Sequence, residues 1–181
     1  MKTEIRICGL GGQGVVLAGQ ILGRAAFYDG KNTVQTQSYG AEARGGMAKS
    51  EVIISDGKIG FPAVRRCDAL AAMTQETLDK NIRDLKENGT LLVDNGIIQT
   101  VPQTKAHVYK LPMTQASEEK IGERMYANIV MLGALIKITG LVSEDPIKRA
   151  IEYAVPRRAL DLNMKAYVTG KELATSLHRG Y

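Results

Sequence analysis

The chain has 181 residues, of which 44% are hydrophobic and 24% charged, close to the roughly 45% and about 25% of soluble domains; this excludes a disordered or collagen-like chain and fits one domain over 1–181. Aromatics make up 5% and Trp is absent while Gly counts 19, so Ala, Val, Ile, Leu and Met must fill the core, which suits a layered α/β fold better than an aromatic-rich β-sandwich. Lys and Arg outnumber Asp and Glu by 24 to 19, a net +5 with no basic block, since Arg65-Arg66 and Arg157-Arg158 are isolated pairs; that argues against nucleic acid and leaves a small phosphorylated ligand or an acidic protein partner.

Residues 5–8 form an apolar-leaning run that stops at Gly9-Leu10-Gly11-Gly12-Gln13-Gly14, and a small-residue apolar segment comes next, a pattern that predicts strand, glycine turn and helix. Within 15–28 the polar Gln20 and Arg24 stand four apart, so one narrow stripe faces water and the rest packs on a sheet. Residues 31–38, rich in β-branched and amide side chains, are expected to form the second strand. A loop with three glycines spans 39–48, and 49–55 reads as a strand. Asp56-Gly57 then supplies a two-residue hairpin turn into 58–61. Parallel winding resumes with a strand at 69–73, a helix at 75–87 stopped by Gly89, and a strand at 90–94.

After a last strand at 105–111 the chain turns helical. Thr114 is expected to cap a helix that carries Glu118 and Glu119 in its first turns and runs to Gly140. Ser143-Glu144-Asp145-Pro146 opens another helix, and Pro156 breaks or kinks the segment beyond it. The expected architecture is a Rossmann-like, mainly parallel sheet with an inserted β-hairpin, helices on both faces and a helical C-terminal region.

Cys8 and Cys67, both in segments that read as buried strands, argue against a disulfide framework and for a reducing cytoplasm. Two thiols fall short of the roughly four that an iron–sulfur cluster takes. The N-terminus has no secretory pattern, and the uncharged run 125–136 is shorter than the roughly 18 residues of a membrane span. His107 and His178 stand far apart, so neither a metal site nor a catalytic triad has support, and no catalytic residue is assigned. Met125 and Met131 read as core.

Gly9, Gly11 and Gly14 match G-x-G-x-x-G between a predicted strand and helix, where glycine allows a tight turn and the helix start offers N–H groups to an anion. The dinucleotide fingerprint also expects an acid about 20 residues later. Residues 33–37 are Thr-Val-Gln-Thr-Gln and hold none. The turn therefore reads either as an anion site of another kind or as close helix–strand packing. A phosphate-loop reading of 43–50 fails, because Ala43 and Ala48 stand where it needs glycines. In the loop, Glu42 lies two residues from Arg44 and ahead of Gly45-Gly46, either a surface that presents backbone and charge or an ordinary solvated loop with a local ion pair.

Residues 4–19 (Glu-Ile-Arg-Ile-Cys-Gly-Leu-Gly-Gly-Gln-Gly-Val-Val-Leu-Ala-Gly) resemble the start of the gamma subunit of 2-oxoacid:ferredoxin oxidoreductases. Residues 35–46 and 49–55 are similar to that family's second signature, and 127–134 and 162–167 to its C-terminal half. The branch it most resembles acts on 2-oxoglutarate. The resemblance implies a subunit of a complex that oxidatively decarboxylates a 2-oxoacid, forms an acyl-coenzyme A and reduces ferredoxin. Thiamine diphosphate, iron–sulfur clusters and coenzyme A would be used through alpha, beta and, where there is one, delta subunits. The isolated chain is then expected to be inactive, with a homodimer open to it. The site residues expected to meet coenzyme A or the partner subunits are Gly9, Gly11, Gly12, Gln13 and Gly14 of the turn, with Glu42, Arg44, Gly45, Gly46 and Lys49 of the loop and the strand after it. Arg44 and Lys49 would meet phosphates and Glu42 would orient Arg44. A free-standing NAD-dependent dehydrogenase and a non-enzymatic nucleotide-binding or scaffold module are the competing readings.

Overall fold

In the computed structural model, which describes residues 1–40 and 45–177, one six-stranded sheet has the order β2-β3-β1-β4-β5-β6. The strands are β1 (Lys2–Leu10), β2 (Asn32–Tyr39), β3 (Met47–Ser55), β4 (Cys67–Ala72), β5 (Leu85–Asp94) and β6 (His107–Leu111). β1, β4, β5 and β6 pair in parallel, whereas β3 runs antiparallel to both β1 and β2. The helices are α1 (Val15–Tyr28), α2 (Gln75–Asn81), α3 (Met113–Ile121), α4 (Ala127–Thr139), α5 (Glu144–Ala154) and α6 (Leu160–Ser176).

The two faces are covered unequally. Ile5, Ile7, Val52, Ile54 and Leu92 face a core built with α1 and α4–α6, while Cys8, Ile53, Leu70, Leu91 and Val93 face a thinner one closed by α2, Val64 and Ile98. α4 is buried on all sides from Ala127 to Ile136, which is why that stretch carries no charge. On α1 the exposed stripe is Gln20, Arg24 and Phe27, in line with the expected spacing.

Five details depart from the sequence reading. The hairpin is formed by β2 and β3 across the connection 40–46, and 58–61 is not a strand. Ser55 already pairs with Lys2 on one side and Asn32 on the other, so β3 has no edge left for a further strand. The helix expected over 75–87 ends at Asn81 and continues as a 3-10 turn, Ile82–Asp84. Gly89 stops no helix but lies inside β5, where the register jumps from Cys67↔Leu85 to Ala69↔Thr90 and a Cβ would come within 2.8 Å of the Asp68 carbonyl oxygen. The helix expected from Thr114 to Gly140 is two, because Gly122 takes a left-handed φ of 98° and closes α3; Gly140 ends α4 in the same conformation. Met125 falls in the break and is 63% exposed, unlike the buried Met131.

Candidate functional site

β1 delivers the chain to its turn at the end of the sheet where β3 begins. Gly12 (φ 94°) and Gly14 (φ 71°) take left-handed conformations that disfavour any side chain, so the turn can be this tight only with glycine there. Gln13 folds back: its backbone N–H donates to the Leu10 carbonyl at 3.1 Å, and its side-chain Oε1 accepts the Leu10 N–H at 2.7 Å. A Cβ on Gly9 would strike that same oxygen. Gly14 caps α1, its carbonyl accepting the Ala18 N–H, so the N–H groups of the first helical turn have no partner within the helix.

The turn is joined to the hairpin connection. The Gly11 N–H donates to the Gly46 carbonyl at 2.7 Å, and the Gly40 N–H donates to the Met47 carbonyl at 2.6 Å. Gly11, Gly12, Gln13, Gly14, Gly45 and Gly46 are thus gathered into one surface, with Gly9 buried beneath it in β1. Glu42 and Arg44 lie outside the described residues, as does His178.

Lys49 is not part of that surface. It stands beside Cys8 on β1 and Ser38 on β2, on the face away from α1. There it lines a cavity of about 250 Å³ with Tyr39, Thr77, Lys80 and Asn81. Its Nζ is 3.4 Å from Glu51, which is itself held by Arg6. Arg6 is buried at 3% exposure and donates to Glu51 (2.8 Å), Asp84 (2.5 Å), Asn81 and the Val64 carbonyl. Burial alone would lower its pKa, but the hydrogen bond to Asp84 and the charge of Glu51 raise it, so the guanidinium stays charged.

The sequence reading gave no role to Arg6, nor to Asn128. From the buried helix α4, Asn128 Nδ2 donates to the Gly14 carbonyl at 3.1 Å and fixes the start of α1. An amide inside an uncharged helical run marks the position as unusual but names no partner. A larger hollow, about 750 Å³, lies at the other end of the sheet between Met1, Lys31, Asp56, Asp68 and Gly140. Its charges satisfy each other: Asp56 takes Lys31 and the N-terminus, which hold its pKa down at about 2, and Asp68 takes Lys86.

Cys8 and Cys67 are buried, and desolvation pushes their thiols up to about 12 and about 11. Among the described residues no three His, Cys, Asp or Glu side chains converge on a point where a metal ion would sit, and no helix is long and apolar enough to cross a membrane. His107 is exposed on β6, at the far edge of the sheet from β2.

The nucleotide crevice of a Rossmann fold needs a parallel strand on each side of β1. Here the neighbour on the α1 side is the antiparallel β3, with Met47 opposite Leu10, and β2 is displaced to the outside. The strand end that would carry a ribose-binding acid is therefore not beside the turn.

The profile of the family "Pyruvate ferredoxin/flavodoxin oxidoreductase" matches residues 4–173. The chain is 48% identical over 180 residues to 2-oxoglutarate synthase subunit KorC of Methanocaldococcus jannaschii, covering 98% of this chain and 96% of that protein. It is 46% identical to the keto/oxoacid ferredoxin oxidoreductase gamma subunit of Geobacter sulfurreducens, whose crystal structure it matches with a TM-score of 0.87 over 96% of this chain and 99% of that one. Ketoisovalerate oxidoreductase subunit VorA of Methanothermobacter marburgensis is 32% identical over 177 residues, which cover 96% of this chain but 37% of that longer protein.

Proposed function

The chain belongs to the pyruvate ferredoxin/flavodoxin oxidoreductase family, and from that premise we propose that it is the gamma subunit of a cytoplasmic 2-oxoglutarate:ferredoxin oxidoreductase. The assembly oxidatively decarboxylates 2-oxoglutarate: the bond to the carboxylate breaks and releases carbon dioxide, the succinyl group joins the sulfur of coenzyme A, and two electrons pass to ferredoxin. Thiamine diphosphate and the iron–sulfur clusters belong to the alpha, beta and, where present, delta subunits. This chain's own donor set does not fit a cluster, since its two cysteines are buried in strands. Its contribution is to bind and orient.

The observation that carries the reading is the bond from Gly11 to Gly46, which fuses the glycine turn and the hairpin connection into one backbone-rich surface. Gly11, Gly12, Gln13, Gly14, Gly45 and Gly46 shape that surface toward the partner subunits with Gly9 buried beneath it, while Arg44, oriented by Glu42, is assigned to the phosphates of coenzyme A. Lys49, expected to join that contact, points into the opposite face beside Glu51 and takes no part in it. The rival reading as an NAD-dependent dehydrogenase is disfavoured by β3, which occupies the place where that fold needs a parallel strand.

Reconstitution with the alpha and beta subunits tests the reading. Ferredoxin reduction should require 2-oxoglutarate, coenzyme A and this chain, and the chain alone should be inactive. Arg44→Ala should raise KM for coenzyme A about 10-fold or more at unchanged kcat, as a charge-assisted contact worth about 1.5–3 kcal/mol requires. An unchanged KM removes Arg44 from that role, and turnover by the isolated chain overturns the whole reading.

A further inference from the structure

β2 is the outer strand of the sheet and pairs with β3 alone, in unbroken register from Asn32↔Ser55 to Tyr39↔Ala48. From Thr33 to Gly40 it carries no charged side chain and no proline. Natural edges are blunted by Lys, by Pro or by bulges, because a bare row of backbone groups templates pairing with another strand. β2 has none of these devices.

The surface beside that edge sets exposed rings among polar groups. Phe27 on α1 and Tyr153 on α5, each 67% exposed, stand with Leu17, Thr33 and Gln35 around a hollow of about 580 Å³. Thr33 Oγ1 is buried there with no hydrogen-bond partner among the described residues. Tyr39, 64% exposed, continues the patch to the end of the strand.

Charge narrows the choice of occupant. The Arg24 guanidinium lies 3.7 Å over the Tyr153 ring and that of Arg149 4.5 Å over Tyr28, and neither is within 4.0 Å of a carboxylate among the described residues. A second copy paired edge to edge would bring like charges together across its axis. An acidic segment would find both guanidiniums already oriented by stacking. In the ketoisovalerate relative the matched unit is 37% of a longer chain, so there the same polypeptide carries further protein beside it in sequence.

We propose that the β2 edge and the Phe27–Tyr153 hollow dock an extended, acidic segment of a partner subunit, which adds a strand to β2, seats an apolar side chain in the hollow and places a carboxylate on Arg24. Such a strand ends at Tyr39, next to the connection that reaches the glycine turn, so docking there also braces that surface. The inference rests on the chain's being one subunit of a larger enzyme.

Hydrogen exchange on the chain, free and assembled with its alpha and beta subunits, tests it. Peptides covering 32–39 should exchange at least 10-fold more slowly in the assembly. Arg24→Glu and Phe27→Asp, both at exposed positions, should each weaken assembly 10-fold or more while the free chain keeps its melting temperature. An assembly that forms with β2 no better protected, or variants that assemble like the wild type, overturns the proposal. So does a dimer of the free chain in which β2 is already protected, since the edge would then belong to a second copy. A wild-type chain that joins no partner overturns the subunit reading itself.

Discussion

Gly133 of α4 and Gly170 of α6 each face the backbone of the other's helix. A Cβ on Gly133 would fall on the Tyr167 carbonyl, and one on Gly170 would fall on the Val130 carbonyl and 2.8 Å from the Ala134 nitrogen. Two helices that touch main chain to main chain leave no side chain to move aside. Gly170→Ala should gain about 1 kcal/mol in helix propensity and lose more by forcing the helices apart, where overpacking costs about 1–3 kcal/mol even when side chains can adjust. A net loss of about 2 kcal/mol is expected, read as a lower urea midpoint at unchanged slope. Gly133→Ala should behave alike, and the pair should cost less than the sum, since once the helices part the second methyl has room.

Arg6 and Glu51 are directly opposed on β1 and β3 and share a buried ion pair that also gathers Asp84, Asn81 and the Val64 carbonyl. Removing Arg6 leaves the buried Glu51 with only the partly exposed Lys49 at 3.4 Å, so Arg6→Ala should destabilise by about 3 kcal/mol. Replacing both at once, Arg6→Met with Glu51→Leu, should cost less than Arg6→Ala alone. Equilibrium unfolding of Arg6→Met, Glu51→Leu and the double variant decides it: single losses that simply add in the double variant would mean that the pair holds no net coupling.

What was legible in the sequence was what local chemistry decides. The β1–turn–α1 unit follows from glycine spacing and a polar stripe, and α1 occupies the expected 15–28. The exit at Gly140 follows from its left-handed cap, and the start after Ser143 from the acids and the proline in the first turn, since Ser143 itself makes no side-chain cap. The misplaced hairpin was not local, because Asp56-Gly57 is a sound turn signal that fails only when both edges of β3 are filled by strands distant in sequence. Gly122 was a readable stop that an otherwise continuous helical pattern masked. For the candidate site, alternation alone places Lys49 and Glu51 on one face, but which face α1 covers depends on packing, and that separates Lys49 from the turn. Asn128 acts across 114 residues of chain, beyond any local motif.

Asp94, fully buried at the end of β5, caps α3 from outside the helix. Its Oδ2 accepts the Thr114 N–H at 2.8 Å and the Thr114 hydroxyl at 2.6 Å, while Oδ1 accepts the Gly96 N–H at 3.1 Å. Thr114 is thus the capped residue rather than the cap, and Pro112 holds the N-cap position. Asp94→Ala leaves buried donors without an acceptor, at about 1–3 kcal/mol. Asp94→Asn keeps one acceptor oxygen and should fall between. Hydrogen exchange at the Thr114 amide should quicken in the same order, and an Ala variant as stable as the wild type would remove the carboxylate from this role.

Cys8 and Cys67 bear on how the chain withstands alkali and thiol reagents. Burial raises both thiols, to about 12 and about 11, so each keeps its proton in the folded chain where the unfolded chain, with thiols near about 8.5, gives it up. Above about pH 8.5 the unfolded state binds fewer protons than the folded one, and stability therefore falls as pH rises through that range. The thiolate is the reactive species, so at about pH 8 the native chain should resist alkylation and label on both residues once unfolded in urea. Mass spectrometry of the two samples gives the count. Rapid labelling of the native chain would show that the thiols open to solvent without global unfolding. If labelling instead tracks the population of the unfolded chain across the urea transition, both thiols are sealed by the same core and report its global stability.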